Sequence, residues 1–502
     1  MARLIGGILL ALFMALPLVA LSQDRERRQR HCDGGAPIDI PGRIAACTSV
    51  IDSTDSTPRE RATALLQRAL AHAAGGRNDL ALIDLDRAFQ QSPEDGRIPL
   101  ARAELQLSRG QYDSAVRDFS EAIRLGQTDA RSFHGRAQAH QRLSVGGASD
   151  QSIRDYSAAV EREPDNVVMQ VDLGDAWVYR VLSYLYVQDF DPEIDTAWRQ
   201  RDMRIYRSVR DHEHAIGLNR PDFDAYQRAP VLRREPHRRA MAAYDTALRV
   251  DPASVRALIG RGTALLLNGE PHPAIDAFTA ALRLEPANQR ALTNRGTAWR
   301  DIGEPDRAIA DYDAVLRLGP GGIAAVWTSR GNALIDRSAF VQAVESFDQA
   351  IRANPDYAPA FDNRGVAYLR MHQYERAIRD FTEAIRLRPW NPSAFRHRCL
   401  ALAVARLKGA GLDCARSEDM RGNHPATHEV RALLHLLSGH VSSAIDQFDA
   451  ALKRQPTRAV ALYGRGVAQR RNGNVRAATA DIESAVGIRP DIKAQMAKLG
   501  VK

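Results

Sequence analysis

The sequence predicts an all-α protein made of stacked helical hairpins, and two observations support this prediction. A motif of small residues, an aromatic residue and a proline returns along the 502 residues at intervals of 34 or 35, which indicates a repeat architecture. Aromatic residues make up only 6% of the chain, and the alternation of apolar and polar residues that strands require is missing. Repeats also fit the length of the chain, because each repeat buries its apolar face on its neighbours.

The motif is clearest after the glycines at 262, 296, 331 and 365. Each glycine is followed by an alanine twelve residues on, an aromatic residue four later, an alanine or valine three later and a proline five later. Small residues let two helices approach closely, the ring fills the space beside them, and the proline ends the second helix. The aromatic residues are Phe278, Tyr312, Phe347 and Phe381, and the prolines are Pro286, Pro320, Pro355 and Pro389.

This pattern resembles the tetratricopeptide repeat (TPR), a helix-turn-helix unit of about 34 residues. The resemblance implies a TPR α-solenoid, a right-handed superhelix of about twelve repeats over residues 62–490 whose first helices line a concave face. The repeats start near Ala62, Gly96, Ala130, Val167, Phe223, Val255, Gln289, Ala324, Ala358, Pro392, Pro425 and Ala459.

Two stretches depart from the array. Residues 177–206 carry seven aromatic residues, and the repeat near Val167 regains its pattern only at His212, which predicts an irregular insertion at about 178–210. We expect its aromatic residues to pack on their own repeat, and a partner interface is the alternative. Residues 491–502 resemble the terminal helix of secreted TPR proteins of alphaproteobacteria, which implies a capping helix over the last repeat.

The first 22 residues have the three regions of a signal peptide. Arg3 precedes an apolar run that ends at Leu21, and the small residues around it form a plausible cleavage site, so the mature chain would begin at Gln23. The run is also long enough for a membrane anchor, but the arginines after it would then lie on the wrong side of the membrane. The sequence therefore predicts a bacterial protein that is periplasmic or secreted, without a membrane span after cleavage.

The four cysteines form two pairs with equal spacing. Cys32 and Cys47 lie in the lead-in segment, residues 23–61, and Cys399 and Cys414 lie within the array, each pair 15 residues apart. An even count in an exported chain indicates disulfide bonds. In the TPR register the second pair occupies slots that face each other in one hairpin. Metal binding, with His397 as a further ligand, is the alternative, although two cysteines are a weak signal for it.

An arginine recurs at position 7 of the repeats, and six of these arginines have an aspartate at position 23 of the same repeat. A planar guanidinium can hold a carboxylate with two hydrogen bonds, so we predict structural ion pairs that join the two helices of a hairpin. A ladder of arginines that grips a ligand is the alternative. The predicted pairs are Arg68–Asp84, Arg102–Asp118, Arg136–Asp155, Arg295–Asp311, Arg364–Asp380 and Arg465–Asp481. The repeats of Arg261 and Arg330 break the pattern with Ala277 and Ser346.

The TPR register also assigns a set of first-helix residues to the concave groove. In the central repeats these residues are polar, and an asparagine can hydrogen-bond a peptide backbone with little regard to its sequence. A solvated surface without a ligand is the alternative. The candidate groove residues are Arg290, Thr293, Asn294, Thr297, Arg300, Asn332, Asp336, Asp362, Asn363 and Arg370.

The sequence favours binding over catalysis. It holds no nucleophile elbow, zinc-protease motif, phosphate loop or haem-attachment motif, so we expect no enzymatic activity, no cofactor and no metal. The net charge of +8 would suit nucleic acid, but an exported protein would rarely meet it. We expect a cell-envelope scaffold that binds an unknown protein or peptide in its concave groove. The alternative is a structural protein that binds an anionic envelope polymer or carbohydrate through its arginines.

Overall fold

The computed structural model describes residues 26–34, 39–143, 150–187, 230–319, 323–407, 409–421 and 425–501. Within these ranges every regular element is a helix and no strand occurs, which confirms the all-α prediction. The predicted signal peptide, residues 1–22, lies outside them. In the part of the chain that is described, no helix is both long enough and apolar enough to cross a membrane.

The chain divides into two compact units, Met1–Val181 with Glu235–Pro252 and Leu182–Arg234 with Ala253–Lys502. The first unit holds α1 (26–32), α2 (Ile40–Ile51), α3 (Pro58–Ala74), α4 (Asn78–Gln91), α5 (Arg97–Ser108), α6 (Tyr112–Arg124), α7 (Ala130–Leu143), α8 (Asp150–Arg162), most of α9 (Val167–Val187) and most of α10 (Pro230–Val250).

The second unit continues the series of helices. It holds α11 (Val255–Leu267), α12 (Pro271–Leu284), α13 (Gln289–Asp301), α14 (Pro305–Arg317), α15 (Ile323–Asp336), α16 (Phe340–Ala353), α17 (Ala358–Arg370), α18 (Tyr374–Leu387), α19 (Pro392–Val404), α20 (Ala410–Arg421), α21 (Pro425–Leu437), α22 (Val441–Arg454), α23 (Ala459–Arg471), α24 (Val475–Ile488) and α25 (Ile492–Lys498).

Within each unit the helices pack as successive hairpins. The two helices of a pair, such as α17 and α18, pack on each other, and the second helix also packs on the first helix of the next pair. The turn inside a hairpin needs a residue with left-handed backbone, and Gly303 (φ 79°) supplies it between α13 and α14. Pro305 then begins α14, where a missing backbone N–H is tolerated. The α-solenoid prediction is confirmed at the level of these stacked hairpins.

The core of a hairpin is a contact between a glycine and an aromatic ring. A β-carbon on Gly365 of α17 would lie 2.6 Å from the ring of Phe381 on α18, and that ring is fully buried. The motif glycine is therefore required for the close approach of the two helices. The same contact occurs at Gly262 with Phe278, Gly296 with Tyr312 and Gly331 with Phe347.

The repeat that begins near Val167 is completed by α10. A β-carbon on Gly174 of α9 would lie 2.6 Å from the ring of Tyr244 on α10, and the Tyr244 hydroxyl donates a hydrogen bond to Asp175 at 2.6 Å. Tyr244 thus fills the aromatic slot of this hairpin. Phe223, near which a separate repeat was predicted to start, lies outside the described residues.

His212 and most of the insertion predicted at 178–210 lie outside the described residues.

Both cysteine pairs have disulfide geometry. Cys32 and Cys47 join α1 to α2 with a Cα–Cα distance of 4.6 Å, and Cys399 and Cys414 join α19 to α20 with a Cα–Cα distance of 5.5 Å. All four side chains are buried. Because Cys399 takes the glycine slot and Cys414 the aromatic slot, the second pair stands where other hairpins have the glycine-ring contact.

Candidate functional site

Arg364 joins three helices rather than two. Its Nε and Nη2 donate to the two carboxylate oxygens of Asp380 on α18, each at 2.8 Å. Its Nη1 donates to Asp348 on α16 of the preceding repeat at 2.5 Å. The arginine therefore closes its own hairpin and also ties that hairpin to the repeat before it.

The other predicted pairs have the same two-pronged geometry. Both carboxylate oxygens accept at 2.7 or 2.8 Å in Arg68–Asp84, Arg102–Asp118, Arg136–Asp155, Arg295–Asp311 and Arg465–Asp481. A seventh pair, Arg398 with Asp413, was missed. Its separation is 15 residues rather than 16, because one residue is missing from the turn of that hairpin.

The sequence analysis also missed the third contact of these arginines. In seven repeats Nη1 donates to a side-chain oxygen on the helix before, and in six of them this residue is an aspartate, serine or threonine at position 25 of the preceding repeat. Position 25 could have been identified from the sequence, because it lies two residues after the paired aspartate at position 23. These acceptors are Thr48, Asp86, Ser120, Thr279, Asp348, Thr382 and Asp449.

Arg330 shows how a repeat without the paired aspartate solves the same problem. Its Nε donates to Asp313 of the preceding repeat at 2.6 Å, and its Nη1 donates to the hydroxyl of Ser346 at 2.7 Å. The carboxylate thus comes from position 25 of the neighbour instead of position 23 of its own hairpin.

The electrostatics agree with a structural role for Arg364. Burial by itself lowers the pKa of its guanidinium, but the hydrogen bonds and negative charges of Asp380 and Asp348 outweigh burial, so the pKa is raised. Its three guanidinium nitrogens all donate within the protein. A ligand that displaced these three contacts would break the ties between α16, α17 and α18.

Several of the predicted groove residues also bond within the helical wall. Thr293, Asn294 and Thr297 on α13 are buried. The hydroxyl of Thr297 donates to the Thr293 carbonyl at 3.1 Å, and the Asn294 amide donates to the hydroxyl of Thr263 in the preceding repeat at 3.1 Å. Asn294 therefore links α13 to the preceding first helix α11, whereas Thr297 bonds within α13.

Two further contacts link first helices across repeats. Arg300 on α13 donates from Nε to Asp336 on α15 at 2.8 Å. Nδ1 of His397 on α19 lies 2.8 Å from the carboxylate of Asp362 on α17. Arg300, Asp336 and Asp362 are thus engaged with neighbouring repeats.

The remaining four predicted groove residues are available to a ligand. Arg290 and Arg370 are exposed, and Asn332 and Asn363 are half-buried. Among the described residues, none of these four side chains makes a hydrogen bond or an ion pair. They lie on α13, α15 and α17, which are successive first helices that pack on one another. We call these four residues the open row.

Arg370 lies in a basic environment. Although the side chain is exposed to solvent, the protein atoms around its guanidinium partly desolvate it and so lower its pKa. Repulsion from Arg489 lowers the pKa further, and the charge of Asp491 only partly opposes these effects. An incoming carboxylate would relieve this repulsion, because a charge-assisted hydrogen bond stabilises the guanidinium cation.

Comparison with known families identifies the repeats. Two family models described as tetratricopeptide repeat match the chain. One matches residues 232–272, 268–323 and 430–491, and the other matches residues 358–389. The chain contains tetratricopeptide repeats. The matched residues include α13, α17, α18 and the α23–α24 hairpin, so the open row lies partly within recognised TPR units.

Two curated relatives match a short part of the chain. The human FK506-binding protein-like protein is 40% identical over 73 residues, which is 14% of this chain and 21% of that protein. The rat FK506-binding protein-like protein is 38% identical over 73 residues with the same coverage. The chain therefore spans about a fifth of the length of the curated relatives that it matches.

Solved structures of helical repeat proteins are similar at low identity. A tetratricopeptide repeat protein from Parabacteroides merdae is 19% identical with a TM-score of 0.41, covering 49% of this chain and 94% of that chain. Yeast Tom70 is 16% identical with a TM-score of 0.41, covering 88% and 94%. Cut9–Hcn1 of the APC/C is 14% identical with a TM-score of 0.40, covering 86% and 93%.

The histidines of the later TPR units are spread over separate contacts. His397 bonds to Asp362, His428 lies 2.8 Å from the amide oxygen of Gln447, and His435 packs against the ring of His440. Within the described ranges, no group of three or more His, Cys, Asp or Glu side chains lies together as a metal ion requires.

Proposed function

We propose that this chain is a non-enzymatic scaffold of the cell envelope, which binds an extended protein or peptide segment on the concave face of its repeats. The observation that carries the proposal is the open row: Arg290, Asn332, Asn363 and Arg370 have no partner among the described residues, while their polar neighbours bond to one another. TPR arrays present extended concave surfaces to their ligands. The envelope location rests on the signal-peptide pattern of residues 1–22 and on the paired cysteines.

The chemistry of the open row favours an acidic segment. The two asparagines can donate to and accept from a peptide backbone whatever its side chains are. The two arginines favour carboxylates, and Arg489 adds positive charge beside Arg370. A partner segment with aspartate or glutamate at intervals therefore fits this surface best.

Affinity capture from an envelope extract tests the proposal. Bait carrying Asn363→Ala with Arg370→Ala is compared with the unchanged protein, and the recovered proteins are quantified by mass spectrometry. We expect the double variant to recover at least about tenfold less of the specific partner, because loss of two charge-assisted or amide contacts removes one or two kcal/mol or more.

Arg379 provides the matched control. It is exposed on α18, the second helix of the same repeat, so Arg379→Ala removes the same charge from outside the first-helix face. Its bait should recover the partner at the unchanged level. Equal recovery by all three baits would overturn the assignment of the groove.

An anionic envelope polymer is the second candidate, and the net charge of +8 favours it. Binding that rests mainly on arginine charges weakens steeply with added salt, whereas binding through amides and a few paired charges weakens less. Capture at low and at high salt therefore separates the two candidates.

A further inference from the structure

The segment at residues 489–501 folds back onto the first helices of the last two repeats. Helix α25 contacts both α23 and α24. A β-carbon on Gly500 would lie 3.5 Å from the side chain of Leu437, at the end of α21 in the preceding repeat. A helix that merely continued the stack would not reach back to α21.

The turn that ends α25 places the side chain of Val501 in the same apolar cluster as Ile492 and Met496. Gly500 has φ +81°. The N–H of Val501 donates to the carbonyl of Met496 at 3.0 Å, and the N–H of Gly500 donates to the carbonyl of Ala497 at 3.0 Å. This is the helix-ending arrangement known as the Schellman motif, which brings its last residue against the helix. Ile492, Met496 and Val501 are each fully buried.

The surface below the segment is apolar where the middle repeats are polar. Ile492, Met496 and Val501 share one cluster of buried side chains with Leu433 of α21 and Val467 of α23. Leu433 and Val467 stand at position 9 of the last two repeats. The two repeats before them are apolar there as well, with Val366 and Leu400, whereas the three repeats that start near Val255, Gln289 and Ala324 have polar residues at this position. These polar residues are Thr263, Thr297 and Asn332.

The segment has the features of a ligand rather than of a further repeat. Helix α25 has 7 residues, too few to be stable without the surface that it covers. Its apolar residues are spaced four apart on one face, and its other face is exposed. This is the mode in which an amphipathic helix lays its apolar face into a groove.

We propose that residues 489–501 are an intramolecular ligand of this chain's own concave face. The segment occupies the apolar surface of the last two repeats, and it has to leave before a partner helix with the same spacing of apolar side chains can bind there. This inference goes beyond the proposed function, because it concerns the apolar surface of the last two repeats and names its occupant. Arg489 and Asp491, at the start of the segment, lie near Arg370 of the open row.

A labelled peptide with the sequence of residues 489–502 tests the inference on the full chain. In the variant Ile492→Asp with Met496→Asp, the attached segment is unseated, and the free peptide should bind, as measured by fluorescence anisotropy. The unchanged chain should bind it at least about tenfold more weakly, because its own segment competes at an effective concentration on the order of millimolar.

Matched variants define the site. Ala494→Asp with Ala497→Asp places the same two charges on the exposed side of α25 and should leave the weak binding of the unchanged chain. Adding Leu433→Asp to the unseated variant should abolish binding. If a variant that keeps its helical circular dichroism does not bind the peptide, or if the unchanged chain binds it equally well, the inference fails.

Hydrogen exchange on the unchanged chain gives a test without any substitution. A displaceable segment opens alone, so the amides of Leu499, Gly500 and Val501 should exchange much faster than those of α23 and α24. Equal protection of all these amides would instead show a cap that unfolds only with the last repeat, and it would overturn the inference.

Discussion

At the residue scale, the recurring arginine is a structural tie and the asparagine beside it is free. Arg364 uses its three guanidinium nitrogens on Asp380 and Asp348, whereas Asn363 has no partner among the described residues. The pair with Asp380 could be predicted from the sequence, since the arginine and the aspartate are 16 residues apart in five of the six predicted pairs. The tie to Asp348 could not be predicted from a single hairpin, because it depends on how one repeat stacks on the next.

A double-mutant cycle tests the tie. Arg364→Leu leaves Asp380 buried without a partner, which should cost about 3–5 kcal/mol in the free energy of unfolding. Asp380→Leu should cost less, because Asp348 still pairs with the arginine. The double variant should recover part of the loss of the first. Urea unfolding measures all three, and an Arg364→Leu protein as stable as the unchanged one would contradict this account.

Gly365 offers a test of the glycine-ring contact. The β-carbon of Gly365→Ala would meet the buried ring of Phe381 at 2.6 Å, so we expect a loss of about 1–3 kcal/mol in the free energy of unfolding. Gly487→Ala is the matched control, since a β-carbon there meets nothing within 4 Å and α24 should gain about 0.5–1 kcal/mol. Both can be measured by urea unfolding, and equal effects would exclude the contact as the cause.

His72 predicts a pH dependence of stability. Burial lowers the pKa of its imidazole, Arg77 and Arg68 lower it further, and Asp84 partly opposes them. The folded state therefore favours the neutral ring. The stabilisation is complete above the unfolded pKa of about 6.5 and is lost as pH falls through the folded pKa. The Tm difference between the unchanged protein and His72→Gln should shrink from pH 7.5 to pH 5, and a constant difference would contradict the argument.

At the element scale, the hairpin is the unit that the sequence predicts well, and its connections are predicted less well. Helix bounds follow from glycine, aromatic and proline signals that lie within one repeat. The pairing of α9 with α10 does not follow from such local signals. A long stretch of chain separates Gly174 from Tyr244, and the spacing of residues within one repeat carries no information about this contact. The fold-back of residues 489–501 was likewise expected only as a cap on the last repeat.

The Cys399–Cys414 pair predicts a rescue by the common hairpin contact. Replacing both residues by serine should lower the free energy of unfolding by about 3 kcal/mol, because a loop of 15 residues is no longer closed. Cys399→Gly with Cys414→Phe should recover part of this loss, since it restores the glycine-ring contact of the other hairpins. Thermal unfolding under non-reducing conditions compares the two, and no difference between them would show that the slots are not equivalent.

At the scale of the whole molecule, two kinds of surface occur on the first helices of the second unit. The open row is polar and has no partner among the described residues, whereas the face of the last two repeats is apolar and covered by residues 489–501. The sequence register placed the open row on first helices. The register could not show that Asn363 is available and Asn294 is not, because both stand at position 6 of their repeats. The difference is that Asn294 donates a hydrogen bond to the hydroxyl of Thr263.

The signal peptide predicted at residues 1–22 leads to a prediction for the chain as a whole. The protein recovered from its host should begin at Gln23, as determined by N-terminal sequencing, because the pattern of the first 22 residues favours cleavage. Recovery of the uncleaved chain from the membrane fraction would favour an anchor instead.

Site-specific photo-cross-linking tests the central claim, that the open row is where a partner binds, most directly. A photoreactive amino acid is placed at Asn363 on the first helix or at Arg379 on the second helix of the same repeat, and the protein is irradiated in its host cells. The account predicts a discrete cross-linked partner from position 363 and none from position 379. Cross-linking from position 379 alone would contradict it.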